Sequence, residues 1–141
     1  MAEDIRQVFK TSLKWKEGKR GTLVLKGKPE LDVASPPAFG GPEGVWSPQE
    51  LFVASAEACN MTTFLSMMKR KGIELESYES ETEGVLETTD DGLVITTIVI
   101  KPKVTVKNPE QAETAKQVLG RVHKVCIVSN SMKTEVRVEM E

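Results

Sequence analysis

One segment limits the possible fold more than any other. Ser47-Pro48-Gln49-Glu50 opens a helix: serine can cap it and proline suits the first helical position. Glutamate three residues after the serine completes a capping box. The pattern carries this helix to about Lys71, where Lys69, Arg70 and Lys71 complement the negative end of the dipole and Gly72 stops it. Its length is then about 36 Å at ~1.5 Å per residue. Apolar side chains, from Leu51, Phe52 and Val53 through Phe64, Leu65, Met67 and Met68, occupy most of its circumference. A helix apolar nearly all round is buried on several sides. A chain of 141 residues can hardly surround it, which points to a partner subunit.

The stretch from Leu51 to Met68 is also long enough to cross a membrane. It contains Glu57, Asn60 and four hydroxyl residues, however, and burying these in lipid is costly. It reads as a core helix, and no membrane partner is expected.

Around this helix the pattern is that of strands. Val8 to Lys16 alternates, Glu17-Gly18-Lys19-Arg20-Gly21 is a turn, and Thr22 to Lys26 resumes a strand. Glu30 to Val33 fits a third strand. Ser35 to Trp46, with three prolines and three glycines, is a loop long enough to be functional. Beyond the helix, Ile73 to Thr88 and Leu93 to Val106 are long strands joined by the hairpin turn Asp90-Asp91-Gly92. Asn108-Pro109-Glu110 opens a second, amphipathic helix. The Cys126 segment reads as a break or short turn, and Thr134 to Met140 as a last strand. The order βββ-α-ββ-α-β belongs to the α+β class, read as a single domain over residues 1–141.

Composition narrows function mainly by exclusion. A net charge of -2, with lysines and glutamates dispersed, gives no footprint for nucleic acid or an anionic membrane. Met1-Ala2-Glu3-Asp4-Ile5-Arg6 lacks a basic region followed by an apolar stretch, so a cytoplasmic location is expected. Two cysteines do not make a disulfide scaffold, and in a reducing compartment they are either filling or redox chemistry.

Cys59 lies near the middle of the long helix among small residues: Ser55 and Ala56 before it, Thr62 and Thr63 after it. That leaves the sulfur approachable, although free cysteine often only fills space. A mid-helix cysteine needs a nearby cation for a low pKa. Cys126 follows His123-Lys124-Val125, whose charges could favour a thiolate, and Ser129 and Asn130 offer it local hydrogen bonds. Singly, each cysteine is as compatible with structure as with chemistry. His123, the one histidine, reads as a helix-dipole partner more readily than as a base. One histidine and two distant cysteines do not suggest a zinc site. Glu57 is an acid on a nearly all-apolar helix; it faces solvent at a gap, pairs across a subunit interface, or lines a cleft.

Taken together, Ser47-Pro-Gln-Glu-Leu-Phe-Val-Ala-Ser-Ala-Glu-Ala-Cys59 and Cys126-Ile-Val-Ser-Asn-Ser131 resemble the OsmC/Ohr family (osmotically inducible protein C and organic hydroperoxide resistance proteins). The spacing of the cysteines and the order of elements fit as well. The resemblance implies an intertwined homodimer with the cysteine helices in its core. It implies a peroxidase in which the Cys59 thiolate attacks a hydroperoxide and the resulting sulfenic acid condenses with Cys126 to a disulfide. An external thiol or dithiol then restores the pair, with no metal or organic cofactor. It further implies an arginine that steadies the thiolate, best matched by Arg20, and a glutamate that orients the arginine. The glutamate's position is Gln49 here, with Glu50 next to it. One residue is a rotation of ~100° on a helix, so Glu50 does not simply substitute, and it already suits the capping box. Gln49 can bond an arginine only without charge. The competing expectation is a binding module: the same dimer holding a small apolar ligand in the cysteine cleft without turnover.

Overall fold

The structure, a computed structural model, describes residues 4–140. Met1, Ala2 and Glu3, used above in reading the chain's start, lie outside the described residues, as does Glu141. The chain divides into two compact units, one up to Leu51 and one from Phe52.

The first unit is an antiparallel sheet in the order β1-β2-β3, with β1 Ser12–Glu17, β2 Arg20–Val24 and β3 Leu31–Ala34. The turn after β1 is made at Gly18, whose φ of 50° lies in the left-handed region. The alternation seen from Val8 does not all become strand. Pairing begins at Ser12, opposite Val24, the last residue of β2. Residues 8–11 have no strand opposite them, and a period of two without a ladder partner does not make a strand. Arg20 opens β2 instead of sitting in the turn, opposite Glu17 on one side and Ala34 on the other. The Gly/Pro loop holds a 3-10 turn at Pro37–Phe39 and returns to the sheet through a bridge between Val33 and Trp46.

Helix α1 spans Pro48–Lys71, as its caps predict. Ser47 Oγ accepts from the Glu50 N–H at 3.1 Å, and Glu50 Oε1 accepts from the Ser47 N–H at 3.0 Å. This reciprocal box satisfies two donors at the helix start. At the other end Gly72 (φ 69°) lets its own N–H reach the Lys69 carbonyl and the Ile73 N–H reach the Met68 carbonyl, a Schellman stop. The fully buried positions of α1 are Ala56, Asn60, Phe64 and Met68, one stripe at a spacing of four. The sequence implied burial on several sides; within one chain the helix buries a single face.

The second unit carries a sheet in the order β4-β5-β6, with β4 Leu75–Thr89, β5 Gly92–Val106 and β6 Glu135–Val138. The β4–β5 hairpin is antiparallel, and β6 joins β5 in parallel. A parallel neighbour needs a crossover, which is supplied by α2 (Ala112–Leu119), a 3-10 turn at Val122–Lys124 and α3 (Ile127–Ser131). α3 is the segment read from sequence as a break. Two apolar clusters fill this unit. Phe64, Met68 and Ile73 meet Ala115, Val118, Leu119 and Val122 in one. Ala56, Ile98 and Ile100 form the other, with Phe52, Val128 and Met132 packed against it. Gly84 in β4 lies where any Cβ would run into the Val53 side chain, so α1 approaches the strand there only because glycine is present.

Candidate active site

Apolar packing brings the two cysteines together. Cys59 sits three residues after Ala56 on α1, and Ala56 belongs to the cluster that receives Val128 and Met132 from the α3 region. Anchoring α3 there places its first turn beside Cys59. Cys126 is the N-cap of α3, in extended conformation (φ −72°, ψ 124°), and its carbonyl accepts from the Asn130 N–H at 2.9 Å. Both thiols are free. Cys59 is half-buried, whereas Cys126 is 0% exposed.

Their surroundings push the two thiols apart. Burial works to raise the Cys59 pKa but is outweighed, and the group lies below an ordinary thiol. The opposing influences are hydrogen bonding to Cys126, the Val128 N–H, Thr63 and the Ile127 N–H. Thr63 Oγ1 lies 3.8 Å from Cys59 Sγ. Burial raises the Cys126 thiol, and the hydrogen bond and charge of Cys59 raise it further, against the side chain and N–H of Ser129. The sequence suggested a cation as the activator of a mid-helix cysteine. The groups that lower Cys59 are instead neutral donors, two of them backbone N–H groups opening α3. Nor do His123 and Lys124 make Cys126 acidic. Burial, aided by Lys124, holds His123 below its usual value, and its Nδ1 is buried without a partner.

Glu57 faces strand β4 and accepts from Ser80 Oγ at 2.6 Å. Beside it the buried Asn60 donates to Tyr78 OH at 3.4 Å. Burial, and secondarily the charge of Glu57, raises the Tyr78 phenol against the opposing bond from Asn60. Several concavities flank this unit. One of 460 Å³ is lined by Phe52 of α1, by Leu93, Val94 and Ile95 of β5, and by Asp91, Met132, Lys133 and Thr134 among others, without either cysteine. A larger one of 510 Å³ lies between β5 and α2 and includes neither cysteine.

Arg20, Gln49 and Glu50 belong to the first unit. Arg20 Nε and Gln49 Oε1 are each buried and without a partner, so these two atoms do not bond each other. Glu50 is engaged in the capping box through the Ser47 N–H and hydroxyl.

The model of the family of OsmC-like proteins matches residues 41–141, which include both cysteines and every element from α1 onward. The chain belongs to this family. An OsmC-like protein of unknown function from Vibrio cholerae is similar in structure, with a TM-score of 0.81, 24% identity and coverage of 95% of this chain and 100% of that one. So is an organic hydroperoxide resistance protein OsmC from Legionella pneumophila, described as a predicted redox protein: TM-score 0.71, 26% identity, coverage of 96% and 97%. In sequence the chain is 24% identical over 121 residues to the uncharacterized protein YmaD of Bacillus subtilis, covering 84% of this chain and 81% of that one.

For an OsmC-like chain, sequence reading singled out these two sulfurs but missed the first turn of α3. The signal was present: Cys126 followed three residues later by Ser129 has the spacing of an N-cap and its N3 residue. Cysteine is not a usual cap, so the pattern passed as a break.

Proposed function

We propose that this OsmC-like protein is a cysteine-based peroxidase for hydroperoxides, with Cys59 as the attacking and Cys126 as the resolving thiol. The observation that carries the reading is the packing of α3 on α1, which sets the free, half-buried Cys59 beside the free, fully buried Cys126; hydrogen bonding lowers the first thiol and burial raises the second. The Cys59 thiolate attacks the distal oxygen of the hydroperoxide. The O–O bond breaks, the alkoxide leaves as alcohol after taking a proton, and Cys59 becomes a sulfenic acid. Cys126 then attacks that sulfur, displacing hydroxide, which leaves as water with the Cys126 proton. The Cys59–Cys126 disulfide is returned to two thiols by an external thiol or dithiol reductant. No metal or organic cofactor takes part.

Several features support the parts of this reading. Membership of the OsmC-like family and the Legionella relative favour an organic hydroperoxide. By the family resemblance the guanidinium assigned to steady thiolate and peroxide is Arg20, with Gln49 at the position of the family's glutamate and Glu50 holding the helix start. A homodimer is favoured by α1, which buries one face while most of its circumference is apolar, and by the exposed Leu13 and Trp15 of β1. Dependence on thiol reductant suits a reducing cytoplasm, and no helix among the described residues is long and apolar enough to cross a membrane. The uncharged Gln49 and the 460 Å³ concavity favour a second reading, a dimer that binds a small apolar ligand without turnover.

Organic hydroperoxide added to reduced protein separates the two. Rapid, stoichiometric Cys59–Cys126 disulfide formation followed by mass, abolished by Cys59→Ser, is the expected result. Oxidation no faster than that of a free thiol would leave the binding reading in its place.

A further inference from the structure

Closing the disulfide demands a proton from the wrong thiol. Cys126 is the more deeply buried sulfur, and burial opposes its ionisation. Something must stabilise the anion during attack. Lys124 and His123 precede it in sequence, yet the Cys126 thiol stays raised.

Ser129 is placed to do so. It follows Cys126 by three residues, where a residue's N–H and hydroxyl turn back toward the N-cap side chain. Its hydroxyl oxygen is buried and has no hydrogen-bond partner, and the Cys126 side chain makes no capping bond to the start of α3. A buried hydroxyl without a partner calls for a physical explanation. Both the N–H and the hydroxyl of Ser129 nevertheless favour the anionic over the neutral sulfur. A thiol is a weak acceptor, whereas a thiolate is a strong one. The donor is thus held in place for a charge that exists only during the reaction, which is where an interaction accelerates a step.

We propose that Ser129 is a further catalytic residue of the resolving step, its otherwise unpartnered hydroxyl donating to the Cys126 sulfur as that sulfur attacks oxidised Cys59. The inference rests on the peroxidase reading for its physiological step. In that step the Cys126–H bond breaks and the new S–S bond forms. The Cys59 S–O bond breaks, and hydroxide leaves with the Cys126 proton as water. Ser129 neither gains nor loses a proton; its hydrogen bond strengthens as charge gathers on sulfur.

The test separates the two chemical steps. Reduced wild type, Ser129→Ala and Ser129→Thr are mixed with organic hydroperoxide, quenched at intervals with an alkylating agent and weighed. In Ser129→Ala, Cys59 oxidation keeps its wild-type rate, while disulfide closure slows roughly tenfold and its pH midpoint rises by about one unit. Ser129→Thr keeps a hydroxyl and closes close to the wild-type rate. Ser129→Gly is the second hydroxyl-free variant should the alanine protein not fold. Unchanged closure rate and midpoint in the hydroxyl-free variants overturn the proposal, as does an equal loss in Ser129→Thr. If hydroperoxide does not oxidise wild-type Cys59, the peroxidase reading fails by itself. Diamide then activates Cys59 as an adduct that Cys126 displaces. Slower closure without the hydroxyl supports the role of Ser129, and equal closure ends it.

Discussion

The two units of this chain solve the problem of burial differently. In the second, long β-branched strands and three helices enclose two apolar clusters, with Phe64, Ile98, Ile100, Val118 and Val122 fully buried. In the first, the buried side chains are the small Thr22, Ala34 and Ser47. Every residue of β1 is exposed, Leu13 by 62% and Trp15 by 76%, and Ile5 and Phe9 before it are more exposed still. A three-stranded sheet with no buried apolar cluster of its own among the described residues does not shield its backbone from competition with water. A contiguous run of exposed apolar residues marks a surface that another molecule covers. The comparison teaches that the second unit encloses apolar clusters of its own, whereas the first leaves its large apolar side chains exposed in the lone chain, which is what the proposed homodimer would cover.

The sharpest way to break this contrast is to hollow out the second unit. Phe64→Ala removes a ring at the centre of its larger cluster and is expected to cost about 3–5 kcal/mol, measured by denaturant unfolding. A loss below ~1 kcal/mol would mean that this unit is not the stable one. Next in size is the Leu13→Ser, Trp15→Ser double variant. Both side chains are exposed in the lone chain, where such changes cost within about 0.5 kcal/mol each. Light scattering is expected to show the dimer dissociating by much more than that cost implies; an unchanged mass would remove β1 from the interface.

The smallest effect sharpens the comparison through pH. Burial depresses the His123 pKa, with Lys124 adding to it, so the folded state prefers the neutral ring. The unfolded chain then binds more protons between the folded value and the ordinary 6.5. Stability contributed by the neutral ring is present above that ordinary value and is lost as pH falls through the folded one. The Tm of the second unit should drop between about pH 7.5 and about pH 5.5, and His123→Asn should flatten part of that drop. An identical slope in the variant would assign the pH dependence elsewhere.

Much of the fold was legible because its signals are local. The capping box, the basic last turn and Gly72 delimit α1 within the chain itself, and Asp90-Asp91-Gly92 sets the long hairpin. The start of β1 was not legible, because alternation at Val8 and Phe9 describes side chains while a strand also needs a partner, and β2 ends at Val24. Helix α3 was hidden for a related reason. Five residues carry too little periodicity to announce a helix, and this one is held by Val128 and Met132 docking on the Ala56 cluster.

The candidate site divides along the same line. Sequence by itself determined the family resemblance, since the context of each cysteine and the order of elements are properties of the chain, and through it the expectation of a Cys59–Cys126 pair, Arg20 and the Gln49 departure. Tertiary structure decided what makes the sulfurs unequal. Ionisation depends on depth and on which donors point at each atom, and those are set by the packing of α3 on α1. That packing gives Cys59 the Ile127 and Val128 N–H groups, buries Cys126 completely, and leaves Ser129 beside it with a hydroxyl that has no other partner.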